Sequence, residues 1–258
     1  MTYEDFPMLK IIKARMNQGY RTAAYPHAAP NLPELFMGLP ELHRELCAPG
    51  CHKCLDACPT DAISISEQGI CPDLGRCIFC GACRDICPQG AISFTRDHRL
   101  AVSAREDLRL DGGDNSLQVK LNKQIKRVFG HSLKLRQVSA GGCNACEADT
   151  NVLNTLVYDL GRFGIQFVAS PRHADGLLIT GPVTVNMYEA LLKTYQAVPE
   201  PKIVILVGAC AISGGIFAGH PETHQGASDI LPIDLFIPGC PPHPYTILDG
   251  LLQLLGKL

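Results

Sequence analysis

"IVILVGACAISGGIFAG", residues 203–219, is the most apolar stretch of a 258-residue chain, and its reading decides the fold. It falls short of the roughly 20 apolar residues that a membrane-crossing helix needs, and glycines interrupt it. Together with Lys202, its first part reads instead as a buried strand, "KIVILVG", closed by glycine and followed by Cys210. Similar short runs lie on either side: "LKLRQVS" (133–139), "IQFVAS" (165–170), "GLLIT" (176–180) and "DLFIPG" (234–239). Among them "TNVLNTLVYDLGRFG" (150–164), "NMYEALLKTYQ" (186–196) and "YTILDGLLQLLGKL" (245–258) repeat apolar residues at helical spacing. Strands alternating with helices predict an α/β domain whose mostly parallel sheet is covered on both faces. In such sheets ligands gather beyond the carboxyl ends of the strands.

Cysteines stand at those ends. In "GGCNACEAD" (141–149), Cys143 and Cys146 follow the strand "LKLRQVS"; Cys210 follows "KIVILVG" and Cys240 follows "DLFIPG". Four soft thiolates converging at one edge of the sheet suit an iron-sulfur cluster. The flanking Gly141, Gly142, Gly208, Gly214, Gly215 and Gly239 let the backbone approach closely and offer N–H groups to cluster sulfurs. A redox dithiol would account for Cys143 and Cys146 but not for Cys210 or Cys240, which would then be buried structural cysteines. With neither a G-x-G-x-x-G nor a P-loop in the sequence, a nucleotide site is not expected.

Nine of the 13 cysteines lie earlier, between Cys47 and Cys87, around an internal repeat: "CLDACPTDAISI" (54–65) and "CRDICPQGAISF" (83–94). Each copy reads as a ligand turn, a short helix ended by Cys-Pro, and a strand. The second copy, Cys77-x2-Cys80-x2-Cys83-x3-Cys87-Pro, has the bacterial ferredoxin spacing, in which the fourth cysteine ligates the other cluster of the pair. The first copy, Cys47-x3-Cys51-x2-Cys54-x3-Cys58-Pro, is one residue longer in its first gap. The crossed assignment gives cluster one Cys47, Cys51, Cys54 and Cys87, and cluster two Cys77, Cys80, Cys83 and Cys58. Two-residue gaps let a tight turn aim successive thiolates at one small anionic cluster, and the proline ends the turn. Zinc is the competing reading, because C-x2-C pairs also hold zinc. Cys71 is left over as a small filler residue.

The remaining segments are less informative. Residues 1–46 form an arm, one short amphipathic stretch ("MLKIIKARM") and then the proline-punctuated "YPHAAPNLPELFMGLP", which reads as extended chain lying on another surface. Residues 47–94 make the two-cluster ferredoxin domain, of α+β class; 95–134 form a basic linker, broken at "DGGDN" (111–115), that packs against a partner; 135–258 are the α/β domain. A formal charge of −2 gives no reason to expect nucleic acid as a partner. The N-terminus lacks the apolar core and cleavage site of a secretory signal. Cysteines clustered at short spacing in a reducing compartment are metal ligands or redox thiols, so the expected location is cytoplasmic, without a transmembrane span.

"GGCNACEAD", "SPRHADGLLITGPVT" (170–184), "GACAISGGIF" (208–217) and "IPGCPP" (237–242) resemble the small, cluster-binding subunit of energy-converting [NiFe] hydrogenases of the formate hydrogenlyase type. That subunit is homologous to the twenty-kilodalton subunit of respiratory complex I. The N-terminal third resembles the two-cluster ferredoxin subunit of the same complexes. The resemblance implies a flavodoxin-like sheet docked on a large catalytic subunit, either [NiFe] hydrogenase-like or like the corresponding large subunit of complex I. It places the chain peripherally on the inner face of the cell membrane through partner subunits. It makes Cys143, Cys146, Cys210 and Cys240 ligands of a proximal [4Fe-4S] cluster, the third of three [4Fe-4S] clusters that form a wire. Complex I relatives have adjacent cysteines where this chain has Cys143-x2-Cys146, which favours the hydrogenase side. The expected function is electron transfer in a membrane-associated hydrogenase complex; the alternatives are a complex-I-like quinone or ferredoxin oxidoreductase and a zinc-stabilised scaffold.

Glu147 and Asp149 are candidate proton-coupled acids, since an acid beside an anionic cluster resists ionisation and can take up a proton with an electron. Asp149, just before "TNVLNTLVYDL", reads as a helix N-cap. Arg172 and His173 either orient the large subunit, donate to a cluster sulfur, or lie on a surface loop.

Overall fold

The computed structural model describes residues 7–67, 69–111, 117, 119 and 123–258. The start "MTYEDF" and most of the "DGGDN" break lie outside the described residues. The amphipathic stretch forms α1 (Pro7–Gln18), with Met8, Ile11, Ile12 and Met16 exposed. The arm then lies on the chain's own surface. Ala23 N–H donates to the Val157 carbonyl at 2.9 Å, and the Arg162 guanidinium donates to the carbonyls of Ala23 and Tyr25.

The ferredoxin half is built from two antiparallel pairs. β1 (Pro40–Leu42) pairs with the strand of the second repeat, β4 (Ile92–Phe94), while β2 (Ile63–Ser66) of the first repeat pairs with β3 (Gly69–Pro72). Each repeat opens on one turn of helix, α2 (Lys53–Asp56) or α3 (Ala82–Asp85), as the sequence predicts. Cys54, Ile70 and Ile92 form the small core between them.

Part of the segment expected to be a linker on a partner belongs to this chain's own core. Leu100, Ala101, Val102, Leu108 and Leu110 are buried, and Val102 exchanges both backbone hydrogen bonds with Phe236. Arg105 forks onto the Asp73 carboxylate with bonds of 2.8 and 2.7 Å, tying this segment to β3. The apolar residues scattered among its charges explain the difference: they cap an otherwise open sheet edge. The "KLNKQIKRVFG" helix is present as α4 (Lys123–Phe129).

The five expected strands are β5 (Leu133–Ser139), β6 (Ile165–Phe167), β7 (Gly176–Thr180), β8 (Ile203–Val207) and β9 (Leu235–Ile237). They are all parallel, in the order β6-β5-β7-β8-β9. That is the flavodoxin-like arrangement, with the first strand of the domain second in the sheet. Every residue of β7 and β8 is buried, as expected of a strand covered on both faces. Ile203, Ile205 and Val207 face a core completed by α8 (Pro244–Leu254), and Val204 and Leu206 face the other, with Leu191 of α6 (Val185–Ala197). The expected helix over 150–164 is not one helix. α5 (Ala145–Asn151) begins at the cysteine pair and gives way to 3-10 turns at Val152–Asn154 and Leu160–Phe163. Asp159 in the left-handed region (φ 47°) separates those turns, which the apolar spacing alone does not reveal.

Candidate metal centre

At the carboxyl edge of the sheet, Cys143 and Cys146 follow β5, Cys210 lies in α7 (Ala209–Ser213) just after β8, and Cys240 follows β9. The gap between β5 and β7 is the point where strand order reverses, the usual ligand crevice of such sheets. Burial pushes the Cys146 thiol well up, and Cys210, Glu147, Cys240 and Cys143 add to the shift. Burial likewise pushes Cys210 up to about 11, helped by Cys240 and Cys143. The four thiols are thus near enough to feel one another's charge. Filling such a site with metal releases protons, so raised thiols make loading pH-dependent.

Two glycines leave room for these sulfurs. Gly208 has φ +92°, and a Cβ there would stand 2.6 Å from Cys146 Sγ; at Gly215, φ +53°, it would stand 2.9 Å from Cys210 Sγ. Among the described residues, backbone N–H groups that reach cysteine sulfurs include those of Ala62 (Cys58, 3.2 Å), Phe79 (Cys77, 3.3 Å) and Ala91 (Cys87, 3.2 Å), with Leu55 at Cys54, Arg84 at Cys83 and Ile216 at Cys210; none of these is a flanking glycine. Such donors compensate negative charge on thiolates and inorganic sulfide.

The ferredoxin half repeats the pattern. Burial pushes Cys77 up to about 12, with added effects from Cys83, Cys58 and Cys80; burial pushes Cys83 up to about 11, with Cys80, Cys58 and Cys54 adding to it. Cys58 of the first repeat therefore stands among the first three cysteines of the second. Cys54 is raised by burial and feels Cys47 and Cys51. Cys240 is raised by burial, then by Cys143 and by Cys80, and Ile78 and Phe79 of the ferredoxin half line the same cleft as Cys240. Among the described residues no three His, Cys, Asp or Glu side chains close on one another tightly enough for a single metal ion. A cluster, which places its own iron and sulfide between the thiolates, accepts this wider spacing. Donor set, glycine clearance and N–H donors fit [4Fe-4S] clusters, whose chemistry is one-electron uptake and release.

The acids are separated by the structure. Asp149 lies inside α5 and does not cap it; that place belongs to Asn144, in the left-handed region. The cap expectation is corrected because the helix starts at the cysteine pair instead of after it. Burial raises Asp149, which faces the cleft beside Cys240. Glu147 is buried, and its Oε1 accepts hydrogen bonds of 2.6 Å from Ser139 Oγ and Thr180 Oγ1. Ser139 and Thr180 are register partners at the ends of β5 and β7, so sheet pairing itself builds this acid's cradle. Neither hydroxyl stands out in the sequence; their place at two strand ends, just ahead of Gly141 and Gly181, is the available signal.

Comparison with known proteins follows this division of the chain. The family of the NADH ubiquinone oxidoreductase 20 kDa subunit matches residues 143–254, and the 4Fe-4S dicluster domain matches residues 46–91. A probable membrane-bound hydrogenase subunit of Pyrococcus furiosus is 43% identical over 148 residues, 56% of this chain and 89% of that protein. The chain belongs to the family of that NADH:ubiquinone oxidoreductase subunit. Formate hydrogenlyase subunit 7 of Escherichia coli is 45% identical over 143 residues, 55% of this chain and 54% of that protein. A subunit of the NADH-quinone oxidoreductase of Citrifermentans bemidjiense is 44% identical over 117 residues, 45% of this chain and 68% of that protein. The domain shared with this family is here preceded by a 4Fe-4S dicluster domain in the same chain, and the whole is an iron-sulfur electron-transfer subunit. No described helix is long and apolar enough to cross a membrane.

Two other predicted features lie away from the cysteines of this family domain. Arg172 and His173 are exposed on the 3-10 turn that leads into the amino end of β7, whereas the cysteines follow carboxyl ends. Cys71 is buried on β3.

Proposed function

We propose that the chain carries electrons through three [4Fe-4S] clusters to or from the large catalytic subunit of a membrane-associated [NiFe] hydrogenase complex. Cys47, Cys51, Cys54 and Cys87 hold cluster one; Cys77, Cys80, Cys83 and Cys58 hold cluster two; Cys143, Cys146, Cys210 and Cys240 hold the cluster nearest the partner. The observation that supports this reading is the cleft that Ile78 and Phe79, between Cys77 and Cys80, share with Cys240, which brings the ferredoxin loop and the sheet-site loop together at one seam. In this reading cluster two is the relay and cluster one the outer terminal. Catalysis belongs to the partner, and the chain sits on the cytoplasmic face of the membrane through other subunits.

The hydrogenase side is supported by the two-residue gap between Cys143 and Cys146 and by longer matches, 148 and 143 residues against 117 for the quinone-linked relative. The similar identity of that relative supports the second reading, a quinone-linked complex without hydrogen chemistry. Iron and sulfide analysis with low-temperature EPR tests the clusters: about twelve irons are expected, four for each cluster. Zinc in their place would overturn the reading in favour of a structural scaffold. Nickel in the co-purified large subunit separates hydrogenase from the quinone-linked alternative.

A further inference from the structure

Between the two halves lies a cleft of ≈ 240 Å³ whose walls are the loop after Cys77, with Ile78 and Phe79, and the loop from Pro238 to His243, which contains Cys240. Leu35, Phe36 and Met37 of the arm close one side. The last two reach opposite walls. The Phe36 ring meets His243 edge to face at 5.5 Å, three residues beyond Cys240. Met37 rests on the turn Cys80-Gly81: a Cβ on Gly81 would stand 3.2 Å from its sulfur, and Arg84 Nη1 lies 3.9 Å from that sulfur. Adjacent residues of one extended segment thus touch both cysteine loops.

Their position is fixed from both sides. Downstream, Gly38 N–H donates to the Thr95 carbonyl at 2.9 Å and Leu39 N–H to the Asp97 carbonyl at 3.0 Å. No side chain fits at Gly38, where a Cβ would stand 2.1 Å from the Asp97 carbonyl oxygen. Upstream, Arg96 Nη2 donates to the Leu32 carbonyl at 2.6 Å, and Tyr25 Oη donates to the buried Asp249 of α8 at 2.5 Å. An exposed loop held only for its own sake has no need of anchors to both halves. The opposite side of the seam is closed by Ser213 Oγ donating to the Gly75 carbonyl at 2.8 Å and by the Arg105–Asp73 pair.

We propose that Phe36 and Met37 are positioning residues, a spacer that sets the separation of Cys80 and Cys240 and hence the rate of the electron step across the seam. This rests on the electron-transfer reading above. In that step one electron leaves the reduced site on one side and enters the oxidised site on the other, and no bond is made or broken. Neither side chain takes up the electron; each holds a cysteine loop at its working distance, the half-buried ring resting on the loop of Cys240 and the half-buried thioether on that of Cys80.

The test uses the full chain with its clusters loaded and chemically reduced. Low-temperature EPR of the native protein is expected to show spin–spin splitting between the cluster-two and sheet-cluster signals. In the Phe36→Ala/Met37→Ala double variant the splitting should collapse and electron equilibration across the seam should slow severalfold, with iron content and individual g-values kept. Each single variant, which loosens one wall, should weaken the splitting by itself and serves if the double variant does not fold. Phe36→Leu and Met37→Leu should retain it, as should Leu35→Ala at the exposed neighbour. Unchanged splitting in the alanine variants, or equal loss in Leu35→Ala, would overturn the spacer. Absence of iron-sulfur signals from the native protein would instead overturn the electron-transfer reading itself.

Discussion

Gly208 shows what a single residue contributes to a site made by distant parts of the chain. It ends β8, opens the turn to Cys210, and leaves its Cβ position to the sulfur of Cys146, which arrives from α5. Gly208→Ala would force a side chain into the left-handed region and against that sulfur. The fold should lose about 1 kcal/mol or more, and the sheet-domain EPR signal should disappear while the ferredoxin signals persist. Retention of all three signals would show that Cys146 can move aside. The sequence pointed to six glycines around the cysteines but not to this one in particular. Which glycine meets a sulfur depends on how α5 returns over the sheet, and that is tertiary information. The same limit applies to Glu147: its charge and place after Cys146 were legible, but its Ser139 and Thr180 partners emerge only from the register of β5 with β7. Asp149 reads as a cap from its place before an apolar run, but the helix begins four residues before it, at Ala145.

Among the elements, the strands were legible because unbroken apolar runs closed by glycine or proline have few other readings. The 150–164 segment was not, because its apolar spacing also suits irregular chain that packs on α8. The N-terminus of α8 itself is built from histidine chemistry. His243 Nδ1 accepts from Tyr245 N–H at 3.2 Å, its ring stacks on Tyr245 at 5.6 Å, and Tyr245 in turn meets Tyr25 and Tyr158. His98 shares a 3.2 Å hydrogen bond with Tyr25, facing Asp249, Asp97 and Arg99. Burial lowers both histidines; His98 is partly held up by Asp249 and Asp97, while His243 is lowered further by His98. The unfolded chain, with histidines near 6.5, therefore binds protons at higher pH than the fold does. Their contribution to stability is complete above that value and declines as pH falls through it toward the folded values. The urea midpoint should drop between pH 7.5 and pH 5, and His98→Asn should flatten that drop. An equal slope in the variant would place the acid sensitivity elsewhere.

At the scale of the molecule, the division into a ferredoxin half and a sheet half was legible from two cysteine patterns that differ in kind, one dense and repeated, the other dispersed over strand ends. How the halves join was not. The anchors are isolated contacts, such as the backbone exchange of Val102 with Phe236, the Ser213 hydroxyl on the Gly75 carbonyl and the ion pair between Asp73 and Arg105, none of which leaves a periodic trace. The crossing of ligands between the repeats belongs to this scale too. Cys58 and Cys87 occupy equivalent places: each receives an N–H bond of 3.2 Å from the residue four positions on, Ala62 and Ala91 respectively. Cys58 stands among Cys77, Cys80 and Cys83, and the near-symmetry of the repeats supports the proposal that Cys87 joins Cys47, Cys51 and Cys54 in return. Cys87→Ser should therefore impair the cluster of the first repeat and spare that of its own, and Cys58→Ser should do the reverse. In the proposed order, with cluster two as the relay, the two variants should also differ in function. With Cys87→Ser the seam between Cys80 and Cys240 stays intact, so cluster two should still exchange electrons with the sheet cluster; with Cys58→Ser that exchange should fail although the outer cluster remains reducible. EPR of the two purified variants decides the matter: loss of the second-repeat signal in Cys87→Ser would mean that each repeat holds its own cluster and that the relay order must be redrawn.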